Sequence, residues 1–90
     1  MRDLVIGAQN GDREAFGALV GLISDRMYGL AARILRDSDL AEDALQGALI
    51  NAWRQLPDLR DPDRFEAWVR KVLVHDVRAA LRARPPAHPR

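Results

Sequence analysis

Apolar residues recur at three- and four-residue steps along most of the chain, and no stretch alternates apolar and polar positions long enough to suggest a strand. The pattern predicts an all-α fold, a small helical bundle of three main helices plus a short N-terminal helix. The short helix spans about residues 3–9 and ends at Asn10-Gly11, a dipeptide suited to positive φ. Asp12 can then cap a long second helix that reaches about Arg36. Phe16, Leu19, Val20, Ile23, Met27, Leu30 and Ile34 fall along one of its faces and form the expected core stripe. Gly17, Gly21 and Gly29 lie off that stripe, where close approach of another helix would account for them.

Ser38 or Asp39 can cap a third helix, Asp39 and Glu42 having capping-box spacing, and Pro57 ends it. Its wheel puts Ala41, Leu45, Ala48, Leu49, Ala52, Trp53 and Leu56 inward, and Asp43, Gln46, Gly47, Ile50, Asn51 and Arg54 on the other side. Ile50 is the apolar residue of that polar side, which fits either a docking face or an ordinary exposed aliphatic. Asp61-Pro62 starts the fourth helix, with Asp at the cap and Pro at the first helical position, where a missing amide costs nothing. It runs to about Ala83, and Pro85-Pro86 stops it. The expected organisation is one domain over residues 1–84 and a Pro-rich, linker-like tail over 85–90.

The fourth helix carries the most pointed pattern. Arg64, Lys71, His75, Arg78 and Arg82 are spaced by 7, 4, 3 and 4 residues, which confines them to roughly 60° of arc. Phe65, Val69, Val72, Leu73 and Ala80 define the apolar side, with Trp68 at the boundary. A line of cations beside an aromatic ring suits single-stranded nucleic acid, which needs charge for phosphates and a flat surface for a base. Phe65 and Trp68 fit a core role as well. Asp76 falls on the apolar side, where an unpaired carboxylate is costly, so it should meet an Arg or lie at the edge.

Composition narrows the function. Ninety residues allow a single domain, and 48% hydrophobic with 30% charged residues is a globular balance. There is no cysteine, which removes disulfides and thiolate chemistry, and no apolar run approaches the roughly 18 residues of a membrane span. A cytoplasmic protein with no membrane partner is expected. The net charge of +1 conceals an asymmetry. Residues 1–62 hold 7 Arg against 10 Asp and Glu, and residues 63–90 hold 7 Arg and Lys against 3, so a basic end follows an acidic body. Thirteen of the fourteen basic residues are Arg, which suits phosphate and base recognition. With two Ser, two His and no Thr, no nucleophile–base set or phosphate-binding glycine loop can be assembled. No enzyme, metal or cofactor is expected; Asp39, Glu42 and Asp43 are explained by the favourable dipole at a helix start.

Three blocks, taken in order, resemble the second conserved region of sigma factors of the extracytoplasmic-function (ECF) group. They are Gly11-Asp12-Arg13-Glu14-Ala15-Phe16, then Ala41-Glu42-Asp43-Ala44-Leu45-Gln46 through Ala52-Trp53, and Phe65-Glu66-Ala67-Trp68-Val69. The resemblance implies binding to core RNA polymerase at the β′ clamp helices, and recognition and melting of the promoter −10 element through its non-template single strand. Carried over by position, Asp43, Gln46, Ile50 and Arg54 would contact polymerase. Arg60, Arg64, Trp68, Lys71, His75, Arg78 and Arg82 would contact DNA, and an anti-sigma factor is a further partner of such proteins. The chain departs from the family pattern at Gly47, where an acidic residue is common, and at His75 and Ala79, where Asn and Asp are common. The resemblance also implies a second, helix-turn-helix domain that these 90 residues do not show. The expectation is an excised domain or a natural single-domain relative. The alternative is a sigma-like interaction module that binds polymerase or an anti-sigma partner without opening promoters.

Overall fold

A computed structural model describes residues 1–83, and the tail expected over 85–90 lies outside the described residues. The chain forms α1 (Arg2–Gln9), α2 (Arg13–Leu35), α3 (Ser38–Gln55), two short 3-10 turns (Leu56–Asp58 and Pro62–Arg64) and α4 (Phe65–Ala83). Among the described residues there is no strand, in agreement with the all-α expectation. α3 packs against both α4 and α2, α2 touches α4, and α1 lies across α2 and the two turns.

The helix starts follow local chemistry. The Asp12 carboxylate accepts from the amides of Glu14 (3.0 Å) and Ala15 (3.2 Å), which satisfies donors that a helix start leaves without partners. The positive φ expected after Asn10 falls on Gly11, at 95°. At α3 the cap is Asp37, one residue before the expected Ser38 or Asp39; its carboxylate accepts from the amides of Asp39 and Leu40, both at 3.0 Å. The reason lies at the preceding helix end. α2 stops at Leu35, one residue early, because Arg36 turns left-handed (φ 53°), and two residues then suffice to reverse the chain. Asp61 caps as expected through the Asp63 amide (3.0 Å), but Pro62–Arg64 is a 3-10 turn that becomes α-helical at Phe65.

The core differs from the expected stripes in one consistent way. On α2 the buried residues are Ala15, Leu19, Ile23, Met27, Ala31 and Leu35; Phe16, Val20 and Leu30 are half-buried and Ile34 is 41% exposed. On α3 the buried residues are Ala41, Ala44, Ala48 and Ala52, while Leu45, Leu49 and Trp53 are half-buried. An alanine face on α3 lets two helices approach closely, so the line of burial runs through the small residues and the large ones flank it. α4 buries Phe65, Val69, Leu73 and Val77, with Val72 and Ala80 at the margin. The glycines of α2 do not mark a close approach, because a Cβ at Gly17, Gly21 or Gly29 would meet nothing within 4 Å.

Polar links fix the elements in register. The Gln9 amide donates to the carbonyls of Leu56 (3.1 Å) and Leu59 (2.8 Å), which ties α1 to the turn before α4. Arg26 on α2 grips Glu66 on α4 with two parallel bonds of 2.7 and 2.8 Å. Those bonds hold the Glu66 carboxyl below its ordinary pKa: the Arg26 hydrogen bond outweighs burial, which acts upward, and the Arg26 and Arg70 charges add to the lowering. Arg2 pairs with Asp63 at 3.0 Å between exposed side chains.

Candidate nucleic-acid interface and docking face

The basic stripe runs along α4 from Lys71 to Arg82, while Arg64, expected on the same helix, lies in the 3-10 turn just before it. Arg64, Lys71, His75, Arg78 and Arg82 are all exposed, opposite the buried line of Phe65, Val69, Leu73 and Val77. Arg64 reaches Asp61 only at 3.9 Å, too long for a strong bond. Among the described residues, no ion pair engages Lys71, Arg78 or Arg82. Arg60 is exposed in the loop between the two 3-10 turns. Arg70, which the stripe spacing omits, shares a hollow with Lys71, His75 and Arg78 and widens the basic surface toward α2.

Trp68 serves two surfaces. It is half-buried, packs against the core and lies 6.4 Å from the Phe65 ring, which is itself a core residue at 1% exposure. It also lines a groove of about 380 Å³ between α3 and α4, together with Lys71, His75, Asn51, Gln55 and Asp76. Asp76 therefore lies at the helix seam, and its partner is Asn51, whose Nδ2 donates to the two carboxylate oxygens at 3.4 and 3.3 Å, in place of the expected Arg. Gly47 permits this arrangement, since a Cβ there would stand 3.1 Å from an Asp76 oxygen. Two residues assigned to the outward polar side of α3, Gly47 and Asn51, thus turn toward α4 and are half-buried.

The rest of that polar side is open. Asp43, Gln46, Ile50 and Arg54 are all exposed, Ile50 at 58%. Gln46 and Ile50 border an apolar groove of about 560 Å³ between α2 and α3, walled by Phe16, Val20, Leu49 and Trp53. Phe16 and Trp53 brace one another there, with ring centroids 5.0 Å apart and tilted at 56°. Asp43 belongs to a separate shallow hollow on the α4 side, beside Leu40, Asp76 and Ala79. The four expected docking residues thus share one side of α3, with Gln46 and Ile50 at one concavity, Asp43 at another and Arg54 exposed beside them.

Among the described residues no three His, Asp or Glu side chains gather as a metal site requires, and no helix is long and apolar enough to cross a membrane. A helical unit with a cationic ridge on one helix and a polar, apolar-edged face on its neighbour is the arrangement left to explain. The sigma-70 region 2 profile matches residues 19–85, which include both surfaces. The chain belongs to the sigma-70 region 2 family. Its relatives place it with the ECF group. It is 32% identical over 83 residues to the RNA polymerase sigma-H factor of Pseudomonas aeruginosa, covering 92% of this chain and 43% of that protein. It is 31% identical over 86 residues to the ECF RNA polymerase sigma-E factor of Haemophilus influenzae, covering 92% and 45%. The ECF RNA polymerase sigma factor SigW of Bacillus subtilis is 27% identical over 78 residues, 87% and 42% of the two chains. This region 2 chain therefore spans less than half the length of these relatives. No solved structure matches it significantly.

Two of the departures from the family pattern have a geometric setting in this region 2 chain. Gly47 carries no side chain, and the Asp76 carboxylate lies against that position from the neighbouring helix. Ala79 is exposed and borders the hollow that holds Asp43 and Asp76. Asn51, Gln55, Arg70 and Asp76 were not selected from sequence. Arg70 gave a signal there as a basic residue next to Lys71, and Asp76 as a carboxylate on the apolar side of its helix.

Proposed function

We propose that this chain is the part of an ECF-type sigma factor that binds core RNA polymerase and recognises and melts the promoter −10 element. α3 would dock on the β′ clamp helices through Gln46 and Ile50 beside the α2/α3 groove, with Asp43 and Arg54 at the margins. α4 and the loop before it would take the non-template strand, with Arg60, Arg64, Lys71, His75, Arg78 and Arg82 meeting phosphates and bases and Trp68 bordering the groove between α3 and α4. The observation that carries the reading is the exposed cationic ridge, of which Lys71, Arg78 and Arg82 form no ion pair among the described residues. Cations without internal partners are available to displace counterions from a polyanion.

The mechanism is binding without covalent chemistry. Strand separation costs stacking and pairing energy of a few kcal/mol, and capture of an extruded base together with phosphate contacts offsets it. Such work is done on cytoplasmic polymerase, and an anti-sigma factor would compete for the same docking face.

The docking half is tested by Gln46→Ala combined with Ile50→Glu. The pair should abolish capture by β′ clamp helices while leaving helical content unchanged by circular dichroism. Retained capture would remove this face from the reading. Retained capture by the unaltered chain without promoter opening in the presence of core polymerase would favour an interaction module instead.

A further inference from the structure

The seam between α3 and α4 holds a polar pair that neither docking nor phosphate binding uses. Asp76 offers two carboxylate oxygens, and a carboxylate can only accept hydrogen bonds. That fixes the Asn51 amide, whose Nδ2 faces Asp76 at 3.3–3.4 Å. Both residues line the same groove as Trp68, Lys71 and His75. The groove therefore combines the Asp76 carboxylate, an acceptor, with an aromatic wall, two cationic or imidazole side chains and the amides of Asn51 and Gln55. The bonds between Asn51 and Asp76 are long, so the carboxylate oxygens keep lone pairs for a stronger donor. Gly47 gives the pair room, since a Cβ there would stand 3.1 Å from an Asp76 oxygen and press on the carboxylate.

We infer that Asp76, with Asn51, selects the base held in this groove by accepting from an exocyclic amino group, so that adenine, cytosine or guanine is taken and thymine is rejected. The inference rests on the reading of α4 as a single-strand DNA surface and adds base selectivity to it. Thymine presents two carbonyl oxygens on its Watson–Crick edge and one imide donor between them. Next to a carboxylate those oxygens are repelled. Adenine and cytosine carry an amino donor where thymine carries O4, and guanine carries adjacent donors that match two carboxylate oxygens. Trp68 would contribute stacking, which tolerates any base, leaving the choice to the Asp76 carboxylate that Asn51 holds in place.

The cleanest comparison is cytosine against uracil, which have nearly the same shape and differ at the edge that meets Asp76. Short single-stranded oligonucleotides, identical except for one central cytosine or uracil in a thymine background, are titrated onto the full chain by fluorescence anisotropy at low salt. The expected result is about tenfold tighter binding of the cytosine strand, the size of one well-made polar base contact. Asp76→Asn supplies a donor to the oxygens of uracil and should bring the two strands to within about twofold. The comparison on the unaltered chain needs no variant to fold. Equal affinity for both strands, with strong salt dependence, would overturn the selectivity and leave α4 as the DNA surface. No binding of either strand at low salt would overturn the DNA surface and the selectivity with it. A cytosine preference that survives Asp76→Asn would assign the choice to other residues and overturn the role given to Asp76.

Discussion

An Asp76 carboxylate oxygen lies 3.1 Å from where a Cβ on Gly47 would stand, so the missing side chain on α3 and the carboxylate on α4 occupy one site between them. The helix cost of glycine and the position of Asp76 are therefore coupled. Gly47→Ala in an otherwise unaltered chain gains helix propensity but displaces Asp76. The same substitution combined with Asp76→Ala should yield the full gain of about 0.5–1 kcal/mol. Urea denaturation of the four proteins in this cycle should give a smaller gain when Asp76 is present. Equal gains in both backgrounds would mean that the two positions do not interact.

Arg36 ends α2 in the left-handed region at φ 53°. Its Cβ is strained there, as it is for most residues. Arg36→Gly should raise stability by about 1 kcal/mol, seen as a higher melting temperature. A lower melting temperature would show that the Arg36 side chain contributes more than its backbone costs.

Glu66 carries a pH signature. Its pKa is lowered in the folded state by the two bonds from Arg26. Stability from a depressed carboxyl is fully present above the ordinary glutamate value of 4.5 and is lost as pH falls through that value toward the folded pKa. Glu66→Gln should therefore melt below the parent at neutral pH, and the gap should narrow as pH falls below 4.5. The difference will be modest, because the pair is partly solvated. A difference that grows on acidification would contradict the pairing.

Much of this molecule is legible from spacing and caps. Asp12, Asp61, Gly11 and the helix order follow from side chains acting on their own backbone, and the basic stripe follows from a strict helical period. What could not be read depends on how closely helices approach. Because α3 presents Ala41, Ala44, Ala48 and Ala52, burial runs through small residues, and the larger Phe16, Leu49 and Trp53 are left to edge a groove. The Asn51–Asp76 pair spans 25 residues of sequence and has Gly47 close beside its carboxylate, a relation no local pattern carries. The cap of α3 falls on Asp37 instead of Ser38 or Asp39 because of a single unforeseen left-handed residue, Arg36.

The most direct test of the account is the salt dependence of binding to single-stranded −10 DNA, for the parent chain and for Arg78→Glu with Arg82→Glu. Each cation that meets a phosphate steepens the slope of log affinity against log salt by about 0.7 on single strands. The account predicts weaker binding by the double variant, with a slope flatter by about 1.4 if both residues contact phosphate. An unchanged affinity and slope would contradict the assignment of the α4 ridge to DNA.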